Sequence, residues 1–204
     1  MANVDRVNGF RPVKHTNGAP WNGQVNLYYI PSTDSTAVFI GDLVRLAGSA
    51  SSDGYPTVQQ SAANDVSVGV VVGFLPENVI PGGITNGRSP NLDTPYYRLA
   101  STNRYVLVAD SPDLVMEGQE DGVGGALAVT NIGQNVQVVV AAGSTSTGSS
   151  GMEVDSSTAA TTSTHELRLI GFVNRPDNEI GSANAKVLVA FNKHQYGSVG
   201  TTGV

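Results

Sequence analysis

Cysteine is absent from this 204-residue sequence. That absence excludes disulfides, thiolate metal ligands and thiol redox chemistry, so stability has to come from packing and assembly. Charge is also sparse. Only 14% of the residues are Asp, Glu, Lys or Arg, with 11 basic against 17 acidic and a net charge of −6. The basic residues are scattered along the chain and form no stripe. A nucleic-acid partner needs clustered cations, because its affinity comes from counterion release, so no direct nucleic-acid contact is expected. Long apolar runs are missing too. The longest, at 70–72 and 138–142, fall far short of the roughly 20 residues that cross a bilayer as a helix, and no membrane partner is expected. The first ten residues, MANVDRVNGF, have neither the basic stretch nor the apolar stretch of a secretory signal. The expectation is a protein made in a bacterial-type cytoplasm. Aromatics make up 6% of the chain. Its core must therefore be built mainly from Val, Leu, Ile and Ala, a thin core of the kind that leans on a neighbouring subunit.

The chain is instead rich in turn formers, with 24 glycines and 10 prolines. Between them lie short runs of β-branched and apolar residues, the pattern of strands joined by tight or irregular turns. Strands are expected at 24–30, 37–46 with a bend at Gly41-Asp42, 66–75, 95–100, 104–109, 114–119, 136–142, 166–173 and 186–191. The run at 66–75 is almost wholly apolar, which predicts a strand buried on both faces. Residues 51–56 read as a turn, and 122–133 as loop with one short helical turn. Two Ser/Thr/Gly-rich tracts, 143–151 and 155–164, read as long loops. A further long polar loop, 76–93, is of the length that often carries function. About nine strands and one helical turn predict an all-β fold: a jelly-roll-like sandwich or partly closed β-barrel with an extended N-terminal arm and long loops. The expected organisation is an arm over 1–24, one β domain over 25–196 and a flexible tail over 197–204.

Catalytic patterns find little support. The three histidines, His15, His165 and His194, lack metal-site spacing. Residues 144–151 fail the spacing of a G-x-S-x-G nucleophile elbow, and Gly122–Gly125 lacks the Lys-Ser/Thr of a phosphate loop. The acidic cluster Asp110, Asp113, Glu117, Glu120 and Asp121 matches no calcium loop and reads as a solvated surface. Arg175 to Glu179 reads as a polar turn. No cofactor, no metal and no enzymatic activity is expected.

Four blocks in order, RPVKHTNGAPWNGQVNLYYIPSTDSTAVFIGDLVRLAGSAS, RYVLVADSPDLVMEGQED, GSTSTGSSGMEVDSST and NRPDNEIGSANAKVLVAFNKHQ, resemble the head-decoration (cement) proteins of tailed bacteriophages. The resemblance covers most of the chain and lies in the order and spacing of the blocks. It implies a structural virion protein on the outer capsid surface, with the major capsid protein as partner. It also implies a homo-oligomer, a dimer or trimer, that bridges capsomers and steadies the head against internal DNA pressure. The family supplies no catalytic residues.

The residues themselves add a candidate interface. Arg11, His15 and Trp21 of the arm are expected to reach a neighbour or the shell, with Tyr28 and Tyr29 at its root. Aromatic and Arg side chains dominate binding energy at interfaces. The competing reading has Trp21 and one tyrosine completing the core. A non-catalytic β-sandwich binding module, for carbohydrate or as a tail or fibre component, is the alternative function. Tyr96-Tyr97 would be its sugar platform.

Overall fold

The computed structural model describes residues 3–77, 79 and 90–197. Eleven strands and a single 3-10 turn, Val129–Asn131, make up the regular structure among them. The strands are β1 (Arg11–His15), β2 (Asn26–Ile30), β3 (Leu43–Ala50), β4 (Pro56–Gln60), β5 (Gly69–Phe74), β6 (Arg104–Ala109), β7 (Leu114–Gln119), β8 (Asn135–Val139), β9 (Glu153–Ala160), β10 (Leu167–Phe172) and β11 (Lys186–Phe191). The fold is all-β, in two sheets. Strands β2 to β6 close into a five-stranded barrel in the order β2-β4-β3-β5-β6. The rest form an open sheet in the order β1-β7-β11-β10-β8-β9.

The barrel interior is narrow, and the sequence fills it with small branched side chains. Val38, Val44, Val58, Val68, Val71, Val106 and Val108 pack with Tyr28 and Ile30. The open sheet buries larger residues: Phe10, Leu114, Met116, Leu127, Leu167 and Leu169, with Met152. Leu43, Val70 and Ala109 of the barrel belong to this second cluster, so the barrel's outer wall packs against the sheet. Side chains alternate across a strand. Val70 faces the sheet and Val71 faces the barrel core, which accounts for the unbroken apolar run of β5. Gly69 permits the approach of β6, since a Cβ there would lie 2.4 Å from the Ala109 carbonyl oxygen.

Polar side chains buried in the fold act as ties. Arg98 is fully buried. Its guanidinium donates to the carbonyls of Thr102 (2.8 Å), Pro31 and Asp34 (2.7 Å each) and Thr36. Glu166, also fully buried, accepts from the backbone N–H of Val138 in β8 (2.5 Å) and of Asn64 in a barrel turn (2.9 Å). It thereby joins the two sheets, and burial pushes its carboxyl above the usual range.

Several expectations need correction. The strand expected at 37–46 starts only at Leu43 and runs to Ala50; before it Val38 and Ile40 make isolated bridges and Gly41, at φ 95°, turns the chain. Residues 95–100 form no strand. Only Arg98 makes a bridge, to Val38, because its side chain is spent on loop carbonyls and Ser101 turns the chain at φ 57°. The tract at 155–164 is not simply a loop. Its first part continues β9, an edge strand whose Val154 and Ser156 point inward while Ser157 is exposed. Edge strands tolerate polar residues because one side faces water.

The N-terminal arm is extended, but its described part lies along its own chain. β1 pairs antiparallel with β7. The Asn3 amide donates to the carbonyls of Glu179, Ser182 and Ala183. Phe10 is buried against Gly118, where a Cβ would lie 2.7 Å from the ring. Most of the expected loop at 76–93 and most of the expected tail at 197–204 lie outside the described residues. No helix among the described residues is long and apolar enough to cross a membrane.

Candidate functional site

The chain passes from barrel to open sheet between β6 and β7, and a cleft of about 600 Å³ opens there. Its walls come from the end of β1 (His15), the turn that follows (Trp21), the start of β2 (Asn26), the 110–112 turn and Tyr196. Each wall is fixed by local chemistry. The His15 N–H donates to the Ala19 carbonyl (2.8 Å) and the Trp21 N–H to the Val13 carbonyl (3.1 Å), folding the 16–21 turn back on β1. The Trp21 indole packs against the open sheet's core, and its Nε1–H donates to the Gln24 carbonyl at 3.3 Å.

Two carboxylates organise the cleft. Asp110 accepts from Asn26 Nδ2 at 3.0 Å and from the Tyr28 hydroxyl at 2.6 Å. The Tyr28 ring is buried in the barrel. Its hydroxyl also lies 3.4 Å from that of Tyr196. Burial, followed by the Asp110 hydrogen bond, pushes the Tyr28 phenol far above its ordinary value. Asp113 lies 3.0 Å from His15 Nδ1 and accepts the Ser111 hydroxyl. Its carboxyl is held below the usual range, first by Ser111 and then by His15. His194 lies behind Tyr196, where burial pushes its imidazole down.

The order of these groups decides what they can do. A nucleophilic relay needs an imidazole between hydroxyl and carboxylate. Here the Asp113 carboxylate sits between the Ser111 hydroxyl and the His15 imidazole. Among the described residues no group of three or more His, Asp and Glu could hold a metal ion. Asp110 and Asp113 are each paired with neighbouring side chains.

Of the expected interface residues, the fold brings His15, Trp21 and the Tyr28 hydroxyl to this cleft. Arg11 and Tyr29 are elsewhere. Arg11 is exposed at the other end of β1, bonded at 3.3 Å to Asn8 Oδ1. Tyr29 points away from Tyr28, as neighbours in a strand must. It packs on the barrel's outside against Tyr105, with ring centroids 5.1 Å apart.

Sequence reasoning missed the cluster that Tyr29 joins. Tyr55 meets the other side of Tyr105 edge-on at 5.7 Å. Tyr29 and Tyr105 line a cavity of about 530 Å³ with Asp53 and Asn103. The Tyr105 hydroxyl donates to Asp53 at 2.5 Å, and burial with this bond pushes the phenol up to about 12. The three tyrosines lie far apart in sequence, so only strand pairing could have announced them. The expected Tyr96-Tyr97 platform is divided. Tyr96 is 77% exposed, whereas Tyr97 stacks on Phe39 at 4.7 Å. No family model, curated protein or solved structure matches the chain.

Proposed function

We propose that this protein is a non-enzymatic structural component of a tailed-phage virion. In this reading it binds the outer surface of the expanded head as a homo-oligomer and bridges neighbouring capsomers. The observation that carries the reading is the N-terminal segment. It runs extended along the chain's own sheet and leaves Val4, Val7 and Val13 exposed at 60%, 45% and 41%. Exposed apolar side chains along an extended segment suit a broad contact. Many copies on a lattice multiply weak contacts into firm attachment. The cleft beside β1, with Trp21 and Tyr196, adds an aromatic wall near the same segment. The resemblance of four sequence blocks to head-decoration proteins points the same way.

The test is to mix purified protein with expanded, undecorated heads of the cognate phage, pellet them and image them by cryo-electron microscopy. Ordered density at fixed lattice positions, with heads more resistant to heat, is the expected result. Failure to co-sediment at saturating protein overturns the reading.

A second reading, a carbohydrate-binding module, is favoured by the Tyr29, Tyr55 and Tyr105 cluster and its Asp53-lined cavity. Binding of the isolated protein on a glycan array, lost in Tyr105→Ala, would raise it to first place.

A further inference from the structure

The basic residues are scattered in the sequence, and the fold gathers four of them. Arg6, Arg11, Arg175 and Lys186 surround a groove of about 300 Å³ beside the N-terminal segment. Gly118 of β7 is part of its lining, and the Phe10 ring packs against the core side of that glycine.

Two carboxylates answer two of the cations. Glu117 takes a forked pair from Arg175, at 2.6 and 3.1 Å. Asp177 binds Lys186 and lies 3.3 Å from Arg175 Nε. Arg6 and Arg11 have no carboxylate partner among the described residues. The carboxyl nearest in sequence, Asp5, faces Glu153, whose carboxyl it helps push up. Two positive charges thus stand in excess on a chain whose net charge is −6.

We infer that this groove binds an acidic segment of a partner protein, with Asp or Glu carboxylates entering between Arg6 and Arg11. Guanidinium groups pair with carboxylates in a fork, and the small volume suits a few side chains. A long polyanion such as nucleic acid would meet, beyond the groove, a chain of net charge −6, whose field repels it. The inference rests on the groove alone and is independent of attachment to a phage head.

The experiment titrates hexaglutamate into the full-length, ¹⁵N-labelled protein and follows arginine Nε–H and backbone resonances. The expected result is saturable shifts confined to the groove, in the range of about 0.1–1 mM at low salt. Binding should weaken several-fold as salt rises to about 0.2 M, because exposed charges are screened. The double variant Arg6→Gln/Arg11→Gln should bind at least about tenfold more weakly. Arg45→Gln, on the barrel, should bind as the parent does. Both variants should keep the parental melting curve, since the three arginines are at least partly exposed. Unchanged binding by the double variant overturns the inference, as does the absence of saturable shifts. Tighter binding of a thymidine hexanucleotide at the same residues also overturns it and identifies the groove as a nucleic-acid site.

Discussion

The barrel and the open sheet solve the same problem in opposite ways. The barrel closes on itself and has no edge, so all its strands can be apolar inside without inviting further pairing. Its core is nearly all valine. The open sheet ends in β1 on one side and β9 on the other. Both edge strands are polar and only partly buried. The contrast teaches where contact surfaces can form. The closed element supplies a rigid body. The open one supplies edges, the N-terminal strip and the basic groove.

The strongest way to break this contrast is to remove the tie that holds the barrel's 31–36 loop. Arg98→Met leaves four backbone carbonyls without their donor. The expected loss is about 3–5 kcal/mol, the range for removing one partner of a buried charged network. Urea unfolding checks it, and a loss under about 1 kcal/mol would show that water replaces the guanidinium.

Core truncation comes next. Leu169→Ala in the sheet should cost about 3 kcal/mol, and Ile30→Val in the barrel about 1 kcal/mol. Native-state hydrogen exchange sharpens the comparison. Because Val70 and Leu43 of the barrel pack in the sheet's core, Leu169→Ala should lower protection in β5 as well as in β10. Protection lost in β10 alone would mean that the two sheets open independently.

Edge electrostatics give a smaller, pH-dependent effect. Burial first, and then Asp5 and Asp121, push Glu153 at the start of β9 up to about 7. Between its ordinary value near 4.5 and 7, the folded protein holds a proton that the unfolded chain has released. Stability should therefore fall as pH rises through that window. Glu153→Gln removes the repulsion and should stabilise the protein at pH 8 by about 1–2 kcal/mol, after allowance for solvent screening. At pH 4 the two proteins should match. Equal urea midpoints at both pH values would rule out this account.

The smallest stability effect is expected on the exposed strip. Val13→Lys should change stability by no more than about 0.5 kcal/mol. In the head co-sedimentation assay it should weaken attachment. Full occupancy would move the contact surface away from β1. Deleting 1–23, by contrast, would remove β1 and Phe10 from the fold, so loss of binding by that variant would carry no information about contact.

Legibility in the sequence followed burial. β6, β7 and β11 match their expected bounds, β2, β5 and β10 lie within theirs, and β8 begins one residue early, because their alternation or apolar runs reflect faces turned to a core; β3 overlaps only the end of its expected run at 37–46. β1, β4 and β9 were not announced. β1 carries Pro12 and a bulge between Pro12 and Lys14, and β9 reads as a polar tract. The cleft was half legible. Trp21, His15 and Tyr28 stood out by residue type, but Asp110 and Asp113 read as a solvated cluster, and their roles depend on strands that converge only in the fold.

The sequence alone determined an all-β chain without cysteine chemistry, built on a valine-rich core and punctuated by glycine turns. Those properties are local, written in composition and in periodicity over a few residues. The tertiary structure decided which strands closed into a barrel and that the N-terminal segment joined the chain's own sheet. It also decided that four scattered cations met at one groove. Such outcomes depend on pairing between residues distant in sequence, and no local pattern records which strand will find which partner.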